Sequence, residues 1–308
     1  MSEVNLETQS VTTQQAKNDS PTKKELSEQE QWTEIIRPET PWWDLKLREL
    51  YRYRDLVRIF VWRDFIAAYK QTILGPLWHF INPFVSSIIN TLVFGTIAQI
   101  PMEGLPPFLF QFTSMMLWSY FVRCFNTTQN TFLSNAGIFS KVYFPRLAVP
   151  VSGAISALFQ FGILFIFYIG LVIFFRYKGV AINFHWLYFA LLPVWLLLFA
   201  MTALGLGAIV AALTTKYRDL SLFVGYGLSL LMYISAVVFP VSAVPEKFQT
   251  YVHFNPIVPL MELGRYALLG VGTVTLAGVV KSLVFAIVIF LIGVAMFNRA
   301  ERTFIDSV

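Results

Sequence analysis

The chain has 308 residues, of which 56% are hydrophobic and only 13% charged. A soluble domain carries about 25% charged residues, so this deficit excludes an ordinary soluble enzyme and makes lipid part of the solvent. The net charge of +5 does not point to nucleic acid, because the cations flank apolar stretches and form no single basic face.

Residues 1–40 are polar, rich in Gln, Glu, Thr and Ser, and lack the apolar core of a signal peptide. They hold too little apolar surface to offset their ordering entropy and read as a disordered cytoplasmic tail. The next region, 41–70, mixes apolar and basic residues at roughly helical spacing. Leu47, Leu50 and Val57 fall on one side of such a helix, with Arg48, Arg52 and Asp55 on another. This pattern predicts an amphipathic helix lying along the membrane surface, with Trp42, Trp43, Tyr51 and Tyr53 at headgroup level. The remainder, 71–308, reads as one transmembrane domain.

A bilayer core about 30 Å thick needs roughly 20 apolar residues in a helix. Six windows qualify: near 77–98, at 104–122, at 147–175, near 186–213, from Asp219 to about Pro240, and at about 276–298. Lys281 interrupts the last one near its end, where its stem can snorkel to the interface. The expected fold is therefore an all-α integral membrane protein with six transmembrane helices. Of the 23 Lys and Arg, 11 precede position 71. Arg123, Lys141, Arg146, Lys216, Arg218, Arg299 and Arg302 fall on the same side as these, which leaves Arg176, Lys178, Lys247, Arg265 and Lys281 opposite. The positive-inside rule then assigns both termini to the cytoplasm.

Two connections stand out. The cytoplasmic loop 123–146 ends in Ser140-Lys141-Val142-Tyr143-Phe144-Pro145-Arg146, an aromatic and basic run that reads equally as a docking surface or as an interfacial anchor. The external segment 240–275 contains Pro240, Pro245, Pro256 and Pro259. It is too broken for two more spans and too apolar for a free loop, so short re-entrant helices are expected between helices five and six. Glu262 and Arg265 are three residues apart and can pair on one of them.

The chemistry that is missing narrows the function. The chain contains no GxxxxGK[ST] sequence and no Gly-Lys dipeptide, so it cannot cradle nucleotide phosphates in the P-loop manner. It has no HExxH, one cysteine (Cys124) and three histidines, which provide neither a metal cluster nor an internal disulfide. A membrane glycosyltransferase or acyltransferase would need paired acids or a catalytic His at a membrane face, and none stands out. Ion-coupled transport needs ionisable groups among the spans, which are nearly empty of them. Uphill movement would therefore draw its energy from a partner. Aromatic residues are abundant, with 30 Phe, 13 Tyr and 8 Trp. Where rings sit beside polar groups they can line a conduit for a sugar polymer, and the candidates are Trp78, His79, Phe80, Asn82, Phe112, Trp118 and Tyr120. The alternative is that these rings face lipid or the bundle interior.

Several segments, taken in order, resemble the membrane permeases of ABC-2-type exporters of bacterial surface polysaccharides. They are Arg52-Tyr53-Arg54-Asp55-Leu56, Val61-Trp62-Arg63-Asp64, Tyr69 through Trp78, Lys141 through Arg146 followed by Pro150, and Lys216-Tyr217-Arg218-Asp219-Leu220. Pro240, Val244-Pro245-Glu246-Lys247, Asn255-Pro256 and Glu262-Leu263-Gly264-Arg265-Tyr266 complete the series. The resemblance covers about 45–308. It implies an inner-membrane homodimer with two separate ATP-binding subunits, which hold ATP and Mg, and no cofactor in this chain. It also implies a lipid-linked polysaccharide substrate such as an O-antigen or teichoic acid precursor. By the same resemblance, Lys141–Arg146 engages the ATPase and Arg48, Arg52, Arg54 and Arg58 meet the lipid pyrophosphate. The channel would hold Trp78, His79, Asn82, Phe112, Trp118 and Tyr120, and the outer gate Pro245, Asn255, Pro256, Glu262 and Arg265. A permease for drugs or other small amphiphiles is the rival within transport.

Overall fold

The computed structural model describes residues 47–69, 77–139, 144–183, 185–217 and 219–305, and these are helical without strands. The expected tail at 1–40, the tryptophans at 42 and 43, the side chain of Arg48 and residues 141–143 lie outside the described residues. Two helices open the described chain, α1 (Leu47–Arg52) and α2 (Arg54–Tyr69). Val57 and Phe60 of α2 are buried three residues apart, while Arg52, Arg54 and Arg58 are exposed. Helix α2 thus has one packed face and one exposed face, and the exposed face carries Ile59 and Trp62 as well as Arg54 and Arg58.

The next helix, α3 (Leu77–Asn90), continues into a wider turn at Thr91–Ile97. Pro83 lies inside α3 and cannot donate to the carbonyl four residues back. That carbonyl, on His79, is instead approached by Gln160 Nε2 of a neighbouring helix at 3.5 Å, the kind of side-chain rescue that apolar surroundings require. Next come α4 (Pro107–Gln129), α5 (Thr131–Phe139), α6 (Ala148–Tyr177), α7 (Trp186–Ala190) and α8 (Leu192–Lys216). The chain ends in α9 (Leu220–Ile234), α10 (Glu246–Phe254), α11 (Val258–Leu269) and α12 (Leu276–Ile305).

Helix α4 is the axis of the bundle. It packs against α3, α6, α8 and α11, and its buried residues include Gln111, Thr113, Ser114 and Thr128. Polar side chains are costly against lipid and collect in the interior, so the least apolar long helix becomes the most enclosed. Small residues allow the close approaches. A Cβ at Gly153 of α6 would fall 2.1 Å from Thr127, and one at Gly207 of α8 would fall 2.8 Å from the Phe125 carbonyl oxygen. Gly205 of α8 and Gly293 of α12 meet backbone to backbone, in the small-residue packing typical of membrane helices.

Four helices are long and apolar enough to cross a bilayer among the described residues: Leu77–Ile97, Ala148–Tyr177, Leu192–Lys216 and Leu276–Glu301. The other two expected spans are helical but differ from expectation. The window 104–122 extends to Gln129, so Arg123 sits in a helix and not in a loop, and α5 occupies much of the supposed loop 123–146. The fifth span stops at Ile234, since 15 residues at about 1.5 Å each give roughly 22 Å. The chain then runs irregularly through Ser235–Val238, all fully buried. Its carbonyls are met by side chains, with Gln111 Nε2 donating to Val238 (2.7 Å) and Arg265 to Ala236 (2.8 Å).

Candidate functional site

A cavity of about 1110 Å³ opens between α2, α3, α4, α5, α6 and α9. Its wall carries His79, Asn82 and Ser86 from α3, Ser119, Arg123 and Asn126 from α4, and Ser134 and Asn135 from α5. Gln160 of α6 and Ser221 and Ser229 of α9 add further amide and hydroxyl groups, with Trp118 as the aromatic member. These amides and hydroxyls can hydrogen-bond sugar hydroxyls, and Arg63, Asp64, Met115, Ile138 and Met232 complete a mixed wall.

Of the sequence candidates, the structure brings His79, Asn82 and Trp118 to this cavity. His79 and Asn82 lie one helical turn apart and share a face, as their spacing implied. Trp78 points outward and is 51% exposed. Phe112 is fully buried in a cluster with Phe80, Phe108 and Phe167, the last at 5.0 Å between ring centroids. Tyr120 is buried against Phe161 at 5.8 Å. These three do not line the cavity. Phe112 and Tyr120 instead hold α3, α4 and α6 together, which is the bundle-interior alternative.

Arg63 of α2 lines the cavity, whereas Arg52, Arg54 and Arg58 lie apart from it. Arg54 donates to the Tyr51 hydroxyl (3.1 Å), Arg58 pairs with Asp55 (3.1 Å), and Arg52 is exposed. Such exposed pairs contribute little to stability and leave the charges available to a headgroup or to water.

The segment at 144–146 is not an exposed docking surface within this chain. Phe144, Pro145 and Arg146 are buried. Phe144 packs edge-on against Phe60 of α2 (5.4 Å) and near Phe139 of α5 (5.5 Å). Arg146 donates to the Glu301 carbonyl near the end of α12 (3.1 Å), faces the Glu301 carboxylate at 3.8 Å and lies over the Phe139 ring. The loop is therefore fastened to α2, α5 and α12 at once. Replacing Arg146 with Ala is expected to cost about 1.5–3 kcal/mol, as for a lost charged hydrogen bond. An unchanged thermal midpoint of the purified variant in detergent would contradict this.

The segment 240–275 is organised around α11, most of which is buried. Arg265 pairs with Glu262 on the same helix, donates to Ala236 and covers the Phe110 ring of α4 at 4.9 Å. Glu262 also accepts from the Thr273 amide (2.8 Å). Trp195 Nε1 donates to the Leu260 carbonyl (2.6 Å) and the Tyr168 hydroxyl to that of Leu268 (2.5 Å), anchoring α11 to α8 and α6. Pro245 starts α10. Asn255 bridges the Ser235 hydroxyl (3.0 Å) and the Ile257 amide (2.9 Å), and the Pro256 carbonyl accepts from Ser282 of α12 (2.6 Å). Lys281 does not simply snorkel, because its ammonium donates to the carbonyls of His253 (2.5 Å) and Phe254 (2.7 Å), capping α10.

A sequence profile of the ABC-2 type transporter family matches residues 55–269. The chain belongs to this family. Among similar proteins, an O-antigen export system permease protein RfbA of Klebsiella pneumoniae is 24% identical, with 82% of this chain and 94% of that protein aligned. An RfbA of Myxococcus xanthus is 28% identical over 70% of this chain and 80% of the relative. The polysialic acid transport protein KpsM of Escherichia coli is 25% identical over 80% and 93%. In this ABC-2 chain, the matched stretch contains the cavity walls contributed by α2 to α6 and α9, together with α11.

Sequence reasoning placed Arg123 in a loop and passed over Asn126 and Asn135 of the ABC-2 chain. All three line the cavity. The available signal was the polar content of α4 past residue 122, where Asn126, Thr127 and Gln129 continue a helical run.

Proposed function

We propose that this chain is the membrane permease of an ATP-driven exporter that moves a lipid-linked polysaccharide of the O-antigen class across the bacterial inner membrane. The observation that carries this reading is the amide- and hydroxyl-lined cavity of about 1110 Å³ inside a bundle whose longest helices suit a bilayer. In this reading α4 and α9 complete a set of six spans, α10 and α11 are re-entrant in the outer leaflet, and both termini are cytoplasmic. Helix α9 walls the cavity with Ser221, Gly225 and Ser229, yet buries none of its own residues. A homodimer supplies the missing cover and closes the conduit. Two copies of a separate ATP-binding subunit hold ATP and Mg and push on Lys141–Arg146, and the fastening of Phe144 and Arg146 passes that push to α2 and α12.

A strain lacking this chain should lose its surface O-antigen and accumulate the lipid-linked glycan in the cytoplasm. Retention of surface O-antigen with loss of a capsule or of a teichoic-acid-type polymer would reassign the substrate. Replacing Tyr143 with Ala should lower stimulation of the partner's ATPase several-fold while leaving membrane insertion intact. Unaltered stimulation would remove the docking role from this segment.

A further inference from the structure

Helix α6 carries a second recess, separate from the polar cavity. Phe165, Tyr168, Ile169, Val172, Ile173 and Arg176 follow one another at three- and four-residue steps and form one straight stripe. Trp186 and Phe189 of α7 face this stripe, and a groove of about 360 Å³ lies between the two helices. Its floor is fixed, because Tyr168 and Val172 are buried and the Tyr168 hydroxyl is held by the Leu268 carbonyl. Packed rings make one wall, from Trp186 to Phe189 (5.8 Å) and on to Phe165 (6.3 Å). Ile169 and Ile173 make the other and are exposed. At about 1.5 Å per residue the stripe is about 16 Å long, close to half of the roughly 30 Å core of a bilayer.

The groove ends at a charge. Arg176 closes it, and its guanidinium makes no hydrogen bond or ion pair among the described residues. Lys178 stands two residues further on, over the Phe174 ring. No Asp or Glu occurs anywhere between Glu103 and Asp219, so neither α6, α7 nor the turn that joins them offers a counter-charge. The other cations that the positive-inside pattern leaves on this side are provided for. Arg265 pairs with Glu262, Lys281 donates to two carbonyls, and Lys247 follows Glu246 in the chain. Beside Arg176, Tyr177 and Trp186 are exposed, and such residues sit at headgroup level.

We propose that the α6–α7 groove binds an anionic phospholipid of the surrounding membrane, of the phosphatidylglycerol kind. One acyl chain lies along the α6 stripe, and the phosphate meets the Arg176 guanidinium with the Lys178 ammonium beside it. A zwitterionic headgroup suits the place less well, since it would bring an ammonium to two cations that have no acid between them. A second copy of the chain suits it less well again. A two-fold contact sets the same patch against itself, which would bring Arg176 towards its own twin with no carboxylate from α6 or α7 to separate them. The bound lipid would fasten α7, a helix of five residues with none of them buried, to the end of α6. This site is independent of what the exporter carries.

The test is native mass spectrometry of the delipidated full chain in detergent, titrated with dioleoyl phosphatidylglycerol. Arg176→Gln should weaken the lipid adduct at least about five-fold, as for a lost charged hydrogen bond partly open to solvent. Lys247→Gln, which changes a cation of α10 outside the groove, should bind as the wild type does. Unchanged affinity in Arg176→Gln overturns the site. Ile169→Trp fills the groove and leaves both cations in place, so it should also weaken binding, and unchanged affinity overturns the position of the acyl chain. Two comparisons need no variant. Dioleoyl phosphatidylcholine has the same chains and phosphate without the net charge and should bind at least about five-fold more weakly, and equal affinity overturns the anionic assignment. Glycerol phosphate, which has the charge without the chains, should bind more weakly still, and equal affinity overturns the groove. The same spectra report the oligomeric mass. If Ile169→Trp dissociates a dimer and leaves lipid binding intact, the groove is a contact between copies and the lipid site is overturned.

Discussion

Replacing Arg265 with Met is expected to destabilise the folded chain by about 3–5 kcal/mol, the usual penalty for stripping one partner from a buried ion pair. Arg265 is 1% exposed and Glu262 2%, so neither charge can fall back on water. Without the guanidinium, Glu262 keeps only the Thr273 amide and hydroxyl as partners, and the Ala236 carbonyl loses its donor. Arg265 thus closes two irregular backbone stretches, 235–239 and 270–273, onto α11, and both should loosen together. The double variant Glu262→Gln with Arg265→Met removes the orphaned charge and should recover part of the loss. Arg58→Met, which breaks a pair whose side chains are 77% and 74% exposed, should cost little. Thermal midpoints in detergent would rank the three variants, and an Arg265→Met midpoint equal to that of Arg58→Met would contradict the buried-pair account.

Gly293→Val should strongly destabilise the packing of α8 against α12. A Cβ at this position would lie 2.4 Å from the Gly205 carbonyl oxygen and 2.8 Å from the Gly205 Cα. Both atoms belong to the backbone of α8, so relief requires separating two helices of 25 and 30 residues over a broad contact. Overpacking of this kind costs typically about 1–3 kcal/mol when neighbours can move, and more where the obstacle is backbone. Even Gly293→Ala should lower the yield of folded protein. Gly162 of α6 provides the control, because a Cβ there meets nothing within 4 Å. Gly162→Ala should stabilise by up to about 1 kcal/mol through helix propensity. Opposite signs for the same Gly→Ala change, read by size-exclusion profile and thermal midpoint, are the expected signature. Equal effects would show that the α8–α12 approach is not constrained by these glycines.

How far the site was legible in the sequence differs residue by residue. His79 and Asn82 follow from a three-residue spacing within one helix, and that local geometry survives folding. The Glu262–Arg265 pair follows from the same rule. Phe112 and Tyr120 share a helix with Trp118, yet only Trp118 reaches the cavity, because the destination of each ring depends on where α3 and α6 press against α4. Phe144 and Arg146 looked like a surface because aromatic and basic residues suit interfaces. Their burial depends on Phe60 and Glu301, residues distant in the chain.

The absence of a soluble-type surface, the missing nucleotide loop and the placement of the long apolar spans are properties of composition and local order. The sequence by itself determined these, and with them a chain suited to lipid surroundings. The tertiary structure decided the rest: that the most polar long helix becomes the axis, that Lys281 caps α10, and that Arg123 faces a cavity and not a cytoplasmic loop. The physical reason is that hydropathy is summed along the chain, whereas hydrogen-bond satisfaction and charge pairing in an apolar medium are settled between segments far apart in it.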